Sequence, residues 1–490
     1  MSDQRFDKFA TGLRWMGIGR IIGQVISWTG TIYVMRLLSP ADYGLAAISM
    51  SLIAMISVVA EMGIGAGLIQ AEEVNDDQLR SLFTVSLAFG LAGTLLVMAL
   101  APAAGIFFQS TAVVPLVQVG SVQLLAASFS VIPDAMLRRA MRFKAAAVIE
   151  LISGLVASVV TVYLAFSGWA VWALVLGPLL GLLARVVLMN VVMPSLLWPS
   201  LRYSDSKDIV AFGVKISLSR VVSYVSGQSD MLIAGRFLDK SAVGAYSVAM
   251  NLATLPLSKA MGVLNHVAYP AIADLRRTQV NVRPHLLVGL RVSATAILPL
   301  LWGLAAVSQW LLPAVLGPHW ESAVLPMQIV CLALPLRMVS VLMSTAVQGL
   351  GYAGTDFANT LTGVMVMPAC FLAGVQFGVA GLAAAWLVGL PLVISLNLRR
   401  ARPVLMLSGW DALRALAKPM ACSGATAALV YGAGLFLDPA SERLLVVGAL
   451  ILLGVGIYTS LMAIFDREAL RILVLIVVPA RFWPAKIKEV

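Results

Sequence analysis

ISLSRVVSY, Ile216–Tyr224, places an arginine at the centre of a long apolar run, and GRIIGQV, Gly19–Val25, repeats that pattern 200 residues earlier. With the chain slid by 200 residues and no gap, Arg20 falls on Arg220, Arg36 on Arg236, Leu38 on Leu238, Gly44 on Gly244 and Met50 on Met250. Apolar coincidences are cheap in a hydrophobic chain, whereas two arginines and a glycine in one register are less so. The register implies an internal repeat in which each copy holds six membrane spans. An even number of spans preserves orientation, so the copies would be parallel repeats about an axis along the membrane normal.

The rest of the chain is equally apolar. Of 490 residues, 60% are hydrophobic and 12% charged, with a mean hydropathy of +0.94. A soluble domain would be about half apolar and about a quarter charged, so a globular enzyme on an anchor is excluded and an all-α polytopic membrane protein is expected. Apolar runs of roughly 20 residues give about fourteen spans. They lie near 11–37, 44–69, 81–103, 112–135, 146–167 and 169–194, then 209–236, 243–270, 287–314, 325–349, 355–375 and 379–398, then 418–437 and 443–465. The expected organisation is an N-terminal lobe over 1–200, a C-terminal lobe over 201–405, and helices 13–14 with a cytoplasmic tail over 406–490. MSDQRFDKFATGLRWMG shows no small-residue cleavage site after a short apolar core and is expected to open the first span. Cys331, Cys370 and Cys422 fall in apolar runs and are expected to be buried thiols.

The net charge of +11 is explained by topology before nucleic acid. One set of alternate loops carries Arg138, Arg139, Arg142 and Lys144, then Arg276, Arg277 and Arg283, then Arg399, Arg400, Arg402, Arg414 and Lys418. Both termini share that side, with Arg5, Lys8, Arg467, Arg471, Arg481, Lys486 and Lys488. The opposite loops offer only Arg36, Arg236, Lys240 and Arg443, so the positive-inside rule puts both termini in the cytoplasm. The acidic loop QAEEVNDDQLR dissents, but acidic residues count little in this rule. The opposite loops are short and leave no room for a catalytic domain, and no GxxxxGK[ST] phosphate loop occurs. The chain is therefore not expected to be an enzyme.

Charges inside the spans are the functional signal. Arg20, Arg220, Arg185, Lys215, Lys259 and Arg337 lie well inside spans, with Arg14 nearer the cytoplasmic end. Acidic residues at comparable depth are fewer, Glu61 and Asp230, while Asp134 and Glu150 lie at the cytoplasmic boundary. An arginine at bilayer centre costs on the order of 3 kcal/mol even on lenient scales. Any one of them can snorkel or close a structural ion pair. Six together, unbalanced, require a wet cavity or an anionic ligand, and a phosphate or pyrophosphate is what guanidinium forks recognise best. Glu61 and Asp230 admit two readings, neutralising nearby arginines or carrying a coupling proton or sodium ion. No cofactor or metal is expected; an H+ or Na+ gradient, the membrane potential, or removal of product by downstream polymerisation are the open choices for a driving force.

LSPADYGLAA (Leu38–Ala47), GAGLIQ (Gly65–Gln70), LRRAMRFKAAAVIELISG (Leu137–Gly154), DMLIAGRFLDKSAVGAYSVAMNLATLPLS (Asp230–Ser258) and LGPHWESAVLPMQIVCLA (Leu316–Ala333) together resemble the signature segments of the bacterial polysaccharide transport family. This is a flippase family of the multidrug/oligosaccharidyl-lipid/polysaccharide exporter superfamily. The resemblance implies two six-helix lobes facing each other as a V and working by alternating access. It implies a substrate of undecaprenyl pyrophosphate bearing an oligosaccharide repeat unit, moved from the cytoplasmic to the periplasmic leaflet of the inner membrane for exopolysaccharide, capsule or O-antigen. Polysaccharide polymerase and export machinery would be the partners beside membrane lipid, with no nucleic acid. Arg14 and Arg20 are similar in position to first-span arginines of lipid II flippases, whose two extra helices help form a groove for the lipid tail.

Three other readings compete. An extruder of drugs or organic cations on the same fold would need an acidic cavity, where this chain supplies a basic one. A membrane polysaccharide polymerase or ligase would need a periplasmic catalytic loop. A scramblase or structural partner would carry no coupled transport.

Overall fold

The computed structural model describes residues 27–60, 64–71, 74–194, 200, 224, 227–278, 281–437 and 443–477. Among them no strand occurs. In chain order the helices are α1 (27–37), α2 (Pro40–Ala60), α3 (Ile64–Gln70), α4 (Asp76–Phe107), α5 (Val113–Arg139), α6 (Phe143–Phe166) and α7 (Val171–Val192). Then come α8 (227–237), α9 (Lys240–Arg277), α10 (Val282–Val315), α11 (Val324–Gly349), α12 (Ala353–Gly374) and α13 (Gly378–Leu405). The last described helices are α14 (Gly409–Leu435), α15 (Arg443–Phe465) and α16 (Arg467–Val477). The all-α expectation holds for a physical reason: in hydrocarbon each backbone N–H and C=O must be satisfied within its own segment.

Nine segments among the described residues are long and apolar enough to cross a membrane, and one of them, Ala353–Leu405, contains both α12 and α13. Spans expected at 11–37 and 209–236 fall largely outside the described residues, so the count of fourteen is not reached from the described residues alone. The chain packs as two compact units, Met1–Gly244 and Ala245–Val490. The boundary expected near residue 200 adjoins 195–199 and 201–223, which are outside the described residues.

In the first unit α4 packs along α5 and α6 along α7. The acidic stretch that dissented from the charge rule starts a helix. Asn75 Oδ1 accepts from the Gln78 N–H at 2.7 Å, and Gln78 Oε1 accepts from the Asn75 N–H at 3.1 Å. Asp76 and Asp77 occupy the first turn of α4, where the helix dipole favours negative charge. Small polar residues then tie the hairpin, Thr94 donating to the Ser121 carbonyl at 3.1 Å and Ser86 to that of Ser128 at 3.2 Å. Such contacts replace the hydrophobic drive that helices lose between lipid tails.

A helix break at Leu38 recurs 200 residues later at Leu238. The Leu38 N–H donates to the Val34 carbonyl at 3.0 Å, and the Leu238 N–H donates to that of Ala234 at 2.9 Å. Each helix breaks there and a new one starts at Pro40 and at Lys240. Ser39 and Asp42 exchange bonds across the first start, and Asp239 accepts from the Ala242 N–H at the second. The two starts meet at their glycines. A Cβ on Gly44 would sit 1.9 Å from the Lys240 carbonyl oxygen, and one on Gly244 1.7 Å from that of Pro40. All of these residues belong to the first unit.

In the second unit α10 packs on α11 and α14, and α13 on α11 and α12. Ala306, Val307, Trp310, Val430, Val447 and Leu450 join α10, α14 and α15 in one core cluster. Tyr246 is fully buried and its hydroxyl accepts from Trp386 Nε1 at 2.9 Å.

Candidate functional site: cations at membrane depth

Of the residues expected to bind substrate, Arg14, Arg20, Lys215 and Arg220 lie outside the described residues, as does Glu61. Lys259 stands in α9, and its side chain is likewise outside them. Arg185, Arg337 and Asp230 are described, and their surroundings differ.

Arg185 of α7 reaches across to α5, where its Nη2 lies 3.4 Å from Asp134 Oδ1. Arg138, one turn below on α5, binds the same carboxylate at 2.9 Å. The Arg185 Nε is buried with no hydrogen-bond partner among the described residues. One carboxylate thus serves two guanidiniums, leaving this cluster net positive. Asp134 thus pairs with the basic last turn of α5, through Arg138.

Arg337 behaves otherwise. It sits near the middle of α11, a helix of 26 residues, hence roughly 20 Å from either end at 1.5 Å per residue. Its side chain is exposed on the second unit, and among the described residues it makes no ion pair. Asp230 on α8 is buried, with Oδ1 accepting the Met231 N–H at 2.8 Å.

Several other basic residues have helix-capping work. Arg139 donates to the carbonyls of Leu68 and Ala71 at the end of α3. Arg236 donates to the Phe107 carbonyl at 2.8 Å and Lys240 to that of Phe108 at 2.7 Å, covering the end of α4. Cations at a helix C-terminus satisfy orphan carbonyls and complement the dipole. Two of the four basic residues that broke the loop asymmetry are therefore accounted for by this end of α4.

Sequence reasoning missed Arg291 on α10. Its guanidinium grips Asp466, between α15 and α16, with Nε–Oδ2 at 2.7 Å and a second bond from Nη2 to Oδ1. Glu468 adds a contact at 3.3 Å. The available signal was Arg291 itself, a basic residue just inside the ninth span.

An apolar groove of about 430 Å³ runs between α10, α14 and α15. Pro299, Gly303, Val307, Val430, Leu450 and Gly454 are among its walls.

A family model described as polysaccharide biosynthesis protein matches residues 33–325. The chain belongs to the polysaccharide biosynthesis protein family. The matched stretch holds four of the segments that carried the resemblance whole, and the start of the fifth. This family member is 24% identical over 394 residues to the lipopolysaccharide biosynthesis protein WzxC of Escherichia coli (strain K12), over 78% of each chain. It is 25% identical over 382 residues to the teichuronic acid biosynthesis protein TuaB of Bacillus subtilis (strain 168), over 77% of this chain and 79% of TuaB. The lipid II flippase MurJ, in its inward closed conformation, matches with a TM-score of 0.73 over 93% of this chain and 100% of that chain. Identity there is 15%, so that likeness establishes the fold of this polysaccharide biosynthesis protein and not its substrate.

Proposed function

We propose that the protein is a flippase for oligosaccharide repeat units carried on undecaprenyl pyrophosphate. It moves them from the cytoplasmic to the periplasmic leaflet of the bacterial inner membrane, with both termini in the cytoplasm, and catalyses no covalent chemistry. The observation that carries the reading is Arg337, a guanidinium held at mid-span on an exposed face with no ion pair among the described residues. Such a charge is tolerated where water or an anionic ligand reaches it. The family and the lipid-flippase fold support the same reading.

In this mechanism Arg20, Arg220, Lys215, Arg337, Lys259, Arg185 and Arg14 form a cationic cavity that holds the pyrophosphate. Sugars occupy its hydrated space, and rocking of the two repeats changes the leaflet it faces. The prenyl tail stays in lipid, and the apolar groove between α10, α14 and α15 offers it a lane. Glu61 or Asp230 either balances charge or carries a coupling ion. A polysaccharide polymerase and export machinery consume the product.

The test is deletion of the protein followed by analysis of lipid-linked intermediates. Undecaprenyl-pyrophosphate-linked repeat units should accumulate with their glycans accessible only from the cytoplasm. A strain that exports polymer normally and accumulates no such lipid overturns the reading.

A further inference from the structure

A second pocket of about 430 Å³ in the second unit runs from the middle of α11 and α13 to the end of α13 and the start of α14, the end that the charge rule places in the cytoplasm. Its floor is apolar, with Leu336, Val339, Ile394, Leu398, Leu407 and Leu416. Its walls include Arg399 and Arg402, which stand three residues apart on α13 and so share a face. Both are exposed, and among the described residues neither side chain makes an ion pair or hydrogen bond. Their neighbour Arg400 is engaged, donating to Asn359 Oδ1 and Thr362 Oγ1, each at 3.0 Å.

The nearby carboxylate does not neutralise them. Asp411 Oδ2 accepts from the Ser408 N–H and hydroxyl at 3.1 and 2.8 Å, while its Oδ1 pairs with Arg283 at 3.0 Å. Beside this turn Trp410 is exposed, with the Arg414 guanidinium 5.3 Å from its ring, and exposed tryptophan belongs at headgroup level. Two guanidiniums at that level over an apolar cleft match a diacyl lipid, with charge at the interface and chains in hydrocarbon. A peptide would leave its backbone polar groups unpaired on such a floor.

We propose that this pocket binds one anionic glycerophospholipid of the cytoplasmic leaflet, its phosphate on Arg399 and Arg402 and an acyl chain along α13. The site is separate from the pyrophosphate cavity; it rests on α11 and α13 spanning the membrane and, for the leaflet, on the orientation that the charge rule gives.

The full-length protein, purified in detergent, is titrated with dioleoyl-phosphatidylglycerol or dioleoyl-phosphatidylcholine, and bound lipid is counted by native mass spectrometry. One phosphatidylglycerol should be retained in preference to phosphatidylcholine. The variant Arg399→Gln/Arg402→Gln should bind it more weakly by on the order of thirtyfold, about fivefold per guanidinium. Ser395→Trp, which fills the groove, should lose it, and Arg277→Gln should behave as wild type. Counting lipid on the folded ion keeps the test independent of any loss of yield. Equal retention of the two lipids, or wild-type binding by the double arginine variant, overturns the proposal. So does displacement by undecaprenyl phosphate at equal concentration, which would assign the pocket to the polyprenyl carrier.

Discussion

Arg291 of α10 holds Asp466 at the junction of α15 and α16 through two hydrogen bonds to one carboxylate. The Asp466 side chain has no solvent exposure and that of Arg291 is 29% exposed, so neither partner has an easy alternative in water. Asp466 also accepts from the Ala469 N–H at 3.2 Å, in the first turn of α16. One carboxylate therefore anchors α16 to α10. Replacing Arg291 by Met should cost about 3 kcal/mol by leaving a buried charge unpaired. Thermal unfolding in detergent should show a lower midpoint, with α16 released to proteolysis first.

The same junction makes stability depend on acid. Burial alone would raise the Asp466 carboxyl, but the bonds from Arg291 and the Ala469 N–H outweigh it and hold the group below its ordinary 3.8. A carboxylate lowered on folding contributes stability above its unfolded value, and that stability is lost as pH falls through the folded value. Thermal midpoints should fall below about pH 4, and Asp466→Asn should flatten that fall while lowering the midpoint at pH 7. An unchanged acid profile in the variant would remove Asp466 as its source.

Gly44 and Gly244 admit no side chain, because a Cβ on either would enter a backbone carbonyl of the opposing helix start. Gly44→Ala and Gly244→Ala should each reduce the folded protein recovered from membranes. Gly303→Ala, at a position with open space around its hydrogen, should not. Equal recovery of all three would mean that this crossing relaxes freely.

The pyrophosphate role proposed for the intramembrane arginines is tested by export. Arg20→Ala, Arg220→Ala and Arg337→Ala should reach the membrane at normal levels and lose polymer export. Lysine at these positions should keep part of the activity if charge suffices, and little if a bidentate fork is required. Full export by the alanine variants would sink the role.

The helical, membrane-spanning character and the family were legible in the sequence, because composition and span length are local properties that the bilayer reads directly. So was the recurrence of a helix break at Leu38 and Leu238, 200 residues apart, which local sequence sets in both places. Tertiary structure alone decided that Gly44 and Gly244 face each other's backbones, since that depends on where two helices cross. It alone also separated the cations: Arg185 shares Asp134 with Arg138, Arg236 and Lys240 cap α4, Arg291 binds Asp466, and Arg337 stands exposed. Hydropathy sees each as the same charge in the same kind of run. Its partner comes from 51 residues away for Arg185 and 175 for Arg291, and only packing brings such distant groups together.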